Sequence, residues 1–364
     1  MASRWLALRL DLISCLIILS ISILATLVTT LGGSVDANTL GLALVYTLQL
    51  TGLLQWTVRM YVETENNMTS VERLISFSRI PQEAAAVLLS DPKSADWPRH
   101  GGIQLTNYTL RYRSHLNPVL LDINISIPNG CKVGICGRTG AGKSSFLLGL
   151  FRVVEPDDGT AIIIDGVNIL SLGLYTLRSR ITIIPQDPVM FSGTLRYNLD
   201  PFSSYSDESI WDALERIQLK AEIMNKFPER LNTCISERGE NLSVGQRQLL
   251  CIGRALLRNS RIIVMDEATA SVDSATDELI QTAIKSQFLA CTVLTIAHRL
   301  ETIADSDMIL VMSDGRIAES GSPIELIEKE NGIFRSLVNE LGGNSKERVK
   351  RSASGVLKIS TMKS

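Results

Sequence analysis

Lys132-Val133-Gly134-Ile135-Cys136, then Gly137-Arg138-Thr139-Gly140-Ala141-Gly142-Lys143-Ser144-Ser145, then FLLGLF (146–151): these residues decide the fold. The apolar run reads as a strand, the glycine-spaced stretch as a loop and the last segment as a helix. Glycines let the backbone turn back so that successive N–H groups point inward. Together they form a concave nest for phosphate oxygens at the positive end of the helix. Lys143 adds a full charge for the β and γ phosphates, and Ser144 offers Mg²⁺ a hard hydroxyl oxygen. Gly137, Arg138, Thr139, Gly140, Ala141, Gly142, Lys143, Ser144 and Ser145 are therefore the candidate nucleotide-binding residues, with ATP and Mg²⁺ as ligands.

A second stretch, RIIVMDEATASVD (261–273), places four consecutive apolar residues before two carboxylates. Ile262 to Met265 read as a strand buried on both faces of a parallel sheet. Such a strand delivers Asp266 and Glu267 to its C-terminal edge, where open α/β sheets bind ligands. Asp266 is expected to hold the Mg²⁺ shell, and Glu267 to orient and deprotonate the attacking water.

The rest of the chain sorts around this core. Its 364 residues are 45% hydrophobic and 20% charged, with the apolar load concentrated in residues 1–60. A net charge of −2 gives no basic footprint for nucleic acid. The six cysteines are scattered without a CxxC pair or zinc-ligand spacing, so they are read as reduced and structural.

Leu12 to Leu31 is an uncharged apolar run, and roughly 20 residues cross a bilayer core of about 30 Å. A second run, Leu40 to about Val58, follows the short polar loop 32–39, the pattern of a transmembrane helical hairpin. Arg4, Arg9 and Arg59 flank the outer ends whereas the loop carries Asp36, so both termini are expected in the cytosol. A cleaved signal peptide is the rival reading of residues 1–30, but the run is too long for a typical h-region. The topology also puts the four Asn-X-Ser/Thr matches, at Asn67, Asn107, Asn124 and Asn241, on the cytosolic side, as chance matches.

Beyond Val62, Met68, Val71, Leu74 and Ile75 share one helical face, predicting that the second span continues as a helix until Pro81. Prolines and DPKSADWPRHGG then mark a linker. The expected domains are 1–62 (end of a transmembrane domain, spans 12–31 and 40–58), 63–101 (helix extension and linker), 102–342 (nucleotide-binding domain) and 343–364 (a basic, disordered tail). Within the third, IQLTNYTLRYR, LLDINISI and the AIIIDGVNI hairpin suggest an antiparallel β part around 102–170. Ile210, Trp211, Leu214 and Ile217 share a helical face, and IIVMD, TVLTIAH and MILVM read as parallel core strands.

Between the two phosphate-site elements lies Leu242-Ser243-Val244-Gly245-Gln246, followed by the helical RQLLCIGRALLRN. This resembles the LSGGQ signature of ABC ATPases. The resemblance extends to Gln186 in IIPQDPVMFSGTLRYNLDP (Q-loop), Ser271-Val272-Asp273 (D-loop), His298 in TVLTIAHRL (switch) and Tyr112 in LRYR (A-loop). It implies that Tyr112 stacks on adenine, that Gln186 supplies an amide oxygen near Mg²⁺ and water, and that His298 donates to the γ phosphate. Glu267, His298 and Gln186 are then the catalytic set, and Ser144, Gln186 and Asp266 the metal ligands.

GRTGAGKSS, GENLSVGQRQLLCIGRALLR and DEATASVD look like the second nucleotide-binding domain of the multidrug-resistance-associated (C) subfamily; WLALRL, both apolar runs and VERL resemble the end of its last transmembrane domain. The fold implied is an α/β P-loop NTPase: a RecA-like parallel core with an antiparallel β subdomain and a helical signature subdomain, preceded by an all-α transmembrane hairpin. In this family two such domains meet head to tail, so Leu242, Ser243, Val244, Gly245, Gln246 and the D-loop Asp273 face ATP held by a partner domain.

The implied activity is ATP hydrolysis coupled to export of organic anions or drug conjugates across a lipid bilayer, with further transmembrane helices as partners. An ATP-gated channel or channel regulator of the same subfamily shares every motif, and an inactive truncated product is the third reading. Two departures stand out. Val244 replaces the consensus glycine, weakening the fit at the partner's site, and Arg238 stands where a small residue is expected.

Overall fold

The computed structural model describes residues 2–31, 36–92, 97–266, 274–297, 299–341 and 343–360, without the side chains of 2–4, 6–8, 10, 37, 44, 51, 274–276, 344 and 354–360. The chain divides into two compact units, Met1–Glu83 and Ala84–Ser364.

The first unit is a pair of packed helices, α1 (Ala2–Thr30) and α2 (Ala37–Ser78). Among the described residues, Asp11–Thr30 is the stretch long and apolar enough to cross a membrane by length and composition, with a mean hydropathy of 2.6. The second apolar run, interrupted by Gln49 and Gln55, does not reach the same mark. The hydroxyls of Ser20, Ser22 and Thr26 donate to carbonyls one turn back, at 2.7, 2.9 and 2.6 Å. They leave no unpaired donor to an apolar solvent. The Gln55 amide donates to the Asp11 carboxylate, tying the two helices at one end. Leu12, Leu16, Leu19, Ile23 and Leu24 are all more than half exposed within this unit, a surface that suits lipid or further helices. At 42 residues α2 runs far past its apolar part, and Met68, Val71, Leu74 and Ile75 on the extension are exposed.

In the second unit residues 84–92, expected as plain linker, are docked. Leu174 and Tyr175 donate their N–H groups to the Ala85 and Ala86 carbonyls at 3.0 and 2.8 Å. The Asp91 carboxylate accepts from the Gly173 N–H and the Thr176 hydroxyl, at the start of α4 (Leu174–Arg180). The hydrogen bond from Gly173, with those from Leu88 and Thr176, holds the Asp91 carboxyl below its ordinary range.

Two sheets follow. The antiparallel one contains β1 (Ile103–Leu110), β2 (Leu120–Ile127), β4 (Ala161–Ile164) and β5 (Val167–Asn168), in the order β2-β1-β4-β5. Asp165 and Gly166, at φ 47° and 80°, form the tight turn between β4 and β5, a geometry that favours Asp-Gly. The Asp165 carboxylate also accepts the N–H groups of His100, Gly101 and Gly102, anchoring the entry to the domain.

The larger sheet runs β12-β11-β3-β10-β9-β6 among the described residues. It is built from β3 (Lys132–Gly137), β6 (Ile181–Ile184), β9 (Ile262–Asp266), β10 (Thr292–Ile296), β11 (Met308–Ser313) and β12 (Arg316–Gly321). All neighbours are parallel except the edge pair β11–β12. Along β9, Ile262 and Val264 join the apolar cluster under the antiparallel sheet, while Ile263 and Met265 join the cluster of the helical part. Alternate residues thus serve opposite cores, which is why the strand reads as one unbroken apolar run.

The helical part comprises β7 (Gly193–Thr194), α5 (Leu195–Leu199), α6 (Asp207–Arg216), α7 (Lys220–Lys226), β8 (Cys234–Ile235) and α8 (Val244–Arg258). Ile210, Leu214 and Ile217 are buried on the inner face, with Trp211 packed partly exposed beside them. The remaining helices are α3 (Lys143–Leu150), α9 (Ser274–Gln287), α10 (Leu300–Ile303), α11 (Pro323–Glu328), α12 (Ile333–Glu340) and α13 (Gly343–Ser360).

Helix α13 corrects the expectation of a disordered tail. Val349 and Ala353, one turn apart, are buried against the α10–α12 cluster, and the Ser345 side chain hydrogen-bonds Glu301 of α10.

Candidate functional site

The loop between β3 and α3 requires its glycines in different ways. Gly137, Gly140 and Gly142 have φ values of 149°, 84° and 100°, which side-chain-bearing residues rarely adopt. A Cβ at Gly137 would meet the Met312 carbonyl oxygen at 2.3 Å, and one at Gly142 would meet Leu120 Cδ2 at 2.7 Å. Gly140 faces open space, so only its backbone angle demands glycine.

Lys143 is 6% exposed, and its Nζ donates to the carbonyls of Gly137 and Arg138 at 2.8 and 3.1 Å. The ammonium therefore sits under the loop and holds it bent. A nucleotide's phosphates offer that charge stronger acceptors than two neutral carbonyls. Arg138, Thr139, Gly140 and Ser144 are exposed around it, while Ala141, Gly142 and Ser145 are buried.

Tyr112, two residues past β1, is 48% exposed, and its hydroxyl lies 2.9 Å from Ser145 Oγ. What brings it there is a contact absent from the sequence motifs. Gly149 of α3 packs so closely on Tyr108 that a Cβ would lie 1.9 Å from the Tyr108 hydroxyl oxygen. That hydroxyl donates to the Phe146 carbonyl at 3.2 Å, and the two rings meet edge to face at 5.8 Å. The signal available in advance was the lone glycine inside a helix-forming segment.

The strand register sets out the rest. Ile296 of β10 pairs with Ile135 of β3 on one side and with Asp266 of β9 on the other, and Met265 pairs with Ile184 of β6. The C-terminal ends of β3, β10, β9 and β6 thus lie side by side. With strands about 4.8 Å apart, Asp266 stands two spacings, roughly 10 Å, from Ile135, two residues before Gly137. Asp266 is half-buried at its strand end, and Gln186 is exposed two residues beyond β6. The catalytic candidates Glu267 and His298, and the D-loop Asp273, lie outside the described residues. Ser144, Asp266 and Gln186 present a hydroxyl, a carboxylate and an amide oxygen. This hard-oxygen set fits Mg²⁺ and leaves coordination positions for phosphate and water oxygens.

Cys136, one residue before the loop, is not a competing nucleophile. Burial pushes its thiol up to about 12, with Lys143 opposing only in part, so it stays protonated at neutral pH.

At the second candidate surface, Leu242 is buried and Ser243 is the N-cap of α8. Ser243 Oγ accepts the Gln246 N–H at 3.1 Å, and Gln246 Oε1 accepts the Ser243 N–H at 2.8 Å, a capping box. Gln246 Nε2 also donates to Glu222 Oε1 at 2.9 Å, and Lys226 donates to the same oxygen at 2.6 Å. The hydrogen bond from Lys226 chiefly holds the Glu222 carboxyl below its ordinary range against the opposing effect of burial, with a lesser contribution from Gln246. Gly245 is buried, and Val244 is half-buried in the first turn. Arg238 occupies φ 56°, ψ 9°, the left-handed region, which is the physical reason a small residue is expected there.

Residues 120–270 match the ABC transporter domain family. Over 342 residues the chain is 50% identical to ATP-binding cassette sub-family C member 2 of Rattus norvegicus, covering 94% of this chain and 22% of that protein. It is 46% identical over 351 residues to ABC transporter C family member 6 of Arabidopsis thaliana, covering 96% of this chain and 24% of the relative. A bacterial Atm1-family ABC exporter with ATP bound matches at a TM-score of 0.67 and 29% identity, over 84% of this chain and 53% of that one. The chain spans less than a quarter of the length of these curated relatives.

Proposed function

We propose that this chain, whose residues 120–270 match the ABC transporter domain family, is part of a C-subfamily transporter that binds MgATP and hydrolyses it, driving transmembrane export of organic anions or drug conjugates. The observation that supports this reading best is the convergence of the loop after β3, the Asp266 strand end and the Gln186 segment on one edge of a parallel sheet.

In the proposed site the loop amides and Lys143 hold the β and γ phosphates, and Tyr112 offers its half-exposed ring to adenine. Ser144, Asp266 and Gln186 would hold magnesium, which would supply charge neutralisation at the phosphates. Glu267 accepts a proton from the attacking water, and His298 donates to the γ phosphate. The reaction needs positioning more than covalent chemistry, so a second nucleotide-binding domain completes it by presenting the N-terminus of its own signature helix. Closure of the two domains and their release after hydrolysis move the attached membrane helices, of which α1 and the apolar half of α2 are two. In this reading the nucleotide-binding unit lies in the cytosol.

Replacing Glu267 with Gln in a complete transporter keeps MgATP binding and lowers turnover by about a hundredfold or more, in the range of lost general-base catalysis. Unchanged turnover removes Glu267 from the role of base. Uptake of a labelled glutathione- or glucuronide-type conjugate into inverted vesicles, ATP-dependent in the parent and lost in the variant, tests export.

A further inference from the structure

Helix α8 does more than present its N-terminus. The Gln248 side chain, 1% exposed, donates Nε2 to the Pro185 carbonyl at 3.2 Å. Six residues further along, Arg254 donates Nη1 to the Val189 carbonyl at 2.8 Å and Nε to the Asn198 carbonyl at 2.6 Å. Its Nη2 reaches Asn198 Oδ1 at 3.1 Å. The buried Asn198 in turn exchanges two hydrogen bonds of 2.8 Å with the backbone N–H and carbonyl of Phe191. The Arg254 guanidinium also lies 5.9 Å from the centre of the Phe191 ring. The backbone is therefore gripped at Pro185 and again from Val189 to Phe191. Only Gln186, Asp187 and Pro188 lie between these anchors, and Gln186 adjoins the first.

We propose that Gln248 and Arg254 are positioning residues for Gln186. By holding the carbonyls on either side of it, they tie this segment to the helix whose N-terminal end carries Ser243 and Gln246. The proposal rests on the reading of Gln186 as a Mg²⁺ ligand.

A segment anchored at one end keeps its backbone path but lets the remaining residues swing; anchored at both ends, three residues have little slack, since each spans at most about 3.6 Å. Gln248 lies five residues beyond Ser243, about 7.5 Å along a rigid helix. A displacement of the capped end of α8 is thus delivered to Pro185 and Val189 rather than dissipated in a loop. Pro185 and Val189 are held through their backbone carbonyls, so the grip at these two points depends on Gln248 and Arg254 and not on the side chains of the gripped residues.

The test uses a transporter assembly that contains this chain with a second nucleotide-binding domain. Turnover is measured against free Mg²⁺, nucleotide affinity is measured in EDTA, and the thermal midpoint is recorded for each variant. Gln248→Leu keeps the bulk and removes the donor; Arg254→Lys keeps the charge but lacks the planar fork whose separate nitrogens reach Val189 and Asn198 together. Each is expected to raise the Mg²⁺ needed for half-maximal turnover by about fivefold, the scale of one lost hydrogen bond, with affinity in EDTA unchanged. A merely structural role lowers the midpoint without that selective shift.

In a Gln186→Ala background, itself shifted, Gln248→Leu is expected to add no further shift, because both changes act through one group. If Gln186→Ala shifts the Mg²⁺ dependence but Gln248→Leu and Arg254→Lys do not, or if the shifts add, the proposal is wrong and the ligand role of Gln186 stands. If Gln186→Ala leaves the Mg²⁺ dependence unchanged, that role fails and the proposal goes with it.

Discussion

The loop after β3 and the N-terminus of α8 are both helix starts that offer backbone N–H groups, yet they are prepared in opposite ways. At the first, the charged side chain reaches back to its own loop: Lys143 donates to the carbonyls of Gly137 and Arg138. At the second, the polar side chains are closed on themselves, with Ser243 and Gln246 capping each other and Gln246 engaged with Glu222. The first arrangement suits a group that exchanges partners when a nucleotide arrives, and the second a rigid end that meets a ligand through its backbone. Changes at the loop should therefore act on affinity, and changes at the cap on stability.

The largest effect that separates the two is expected for Lys143→Met. Loss of a charge-assisted contact to phosphate lowers ATP affinity by about ten- to a hundredfold, read by equilibrium binding. An unchanged affinity erases the distinction. At the cap, Ser243→Ala removes the acceptor of the Gln246 N–H and costs about 1 kcal/mol, seen in denaturant unfolding, while the chain's own ATP affinity holds. A fall in that affinity would mean that the two helix starts are coupled within one chain.

The smallest effect sharpens the view of the helical part as a rigid support. Among the described residues Thr233 Oγ1 is a buried side-chain oxygen with no hydrogen-bond partner, beside Leu242 and Gln246. Thr233→Val keeps the shape and removes the unpaired hydroxyl, so stability should rise by about 1 kcal/mol in the same unfolding measurement. A loss of stability shows instead that a bound water satisfies that oxygen.

Much of this was legible in the sequence because it is carried by periodicity and glycine spacing. The alternation of Ile262, Ile263, Val264 and Met265 between two cores, the Asp165-Gly166 turn and the bend at Gly137 to Gly142 leave direct traces in residue choice. The docked segment 84–92 left little, because Ala85 and Ala86 hold it through backbone carbonyls and the side-chain anchor Asp91 stands in a stretch without periodicity. Helix α13 was missed because its composition is basic and serine-rich, and the burial of Val349 and Ala353 alone is too slight a pattern to separate from a solvated end. The grip of Gln248 and Arg254 on Pro185 and Val189 escaped for a related reason: its acceptors are carbonyls, which every residue supplies.

Magnesium-dependent nucleotide binding at the edge of the parallel sheet is the property from which the proposed function follows. Titration of the purified chain with ATP, with and without Mg²⁺, tests it most directly. Saturable binding at one site, tighter with the metal and weakened by Asp266→Ala chiefly when the metal is present, is the result expected. Equal affinity with and without Mg²⁺, or no binding by a folded chain, contradicts it.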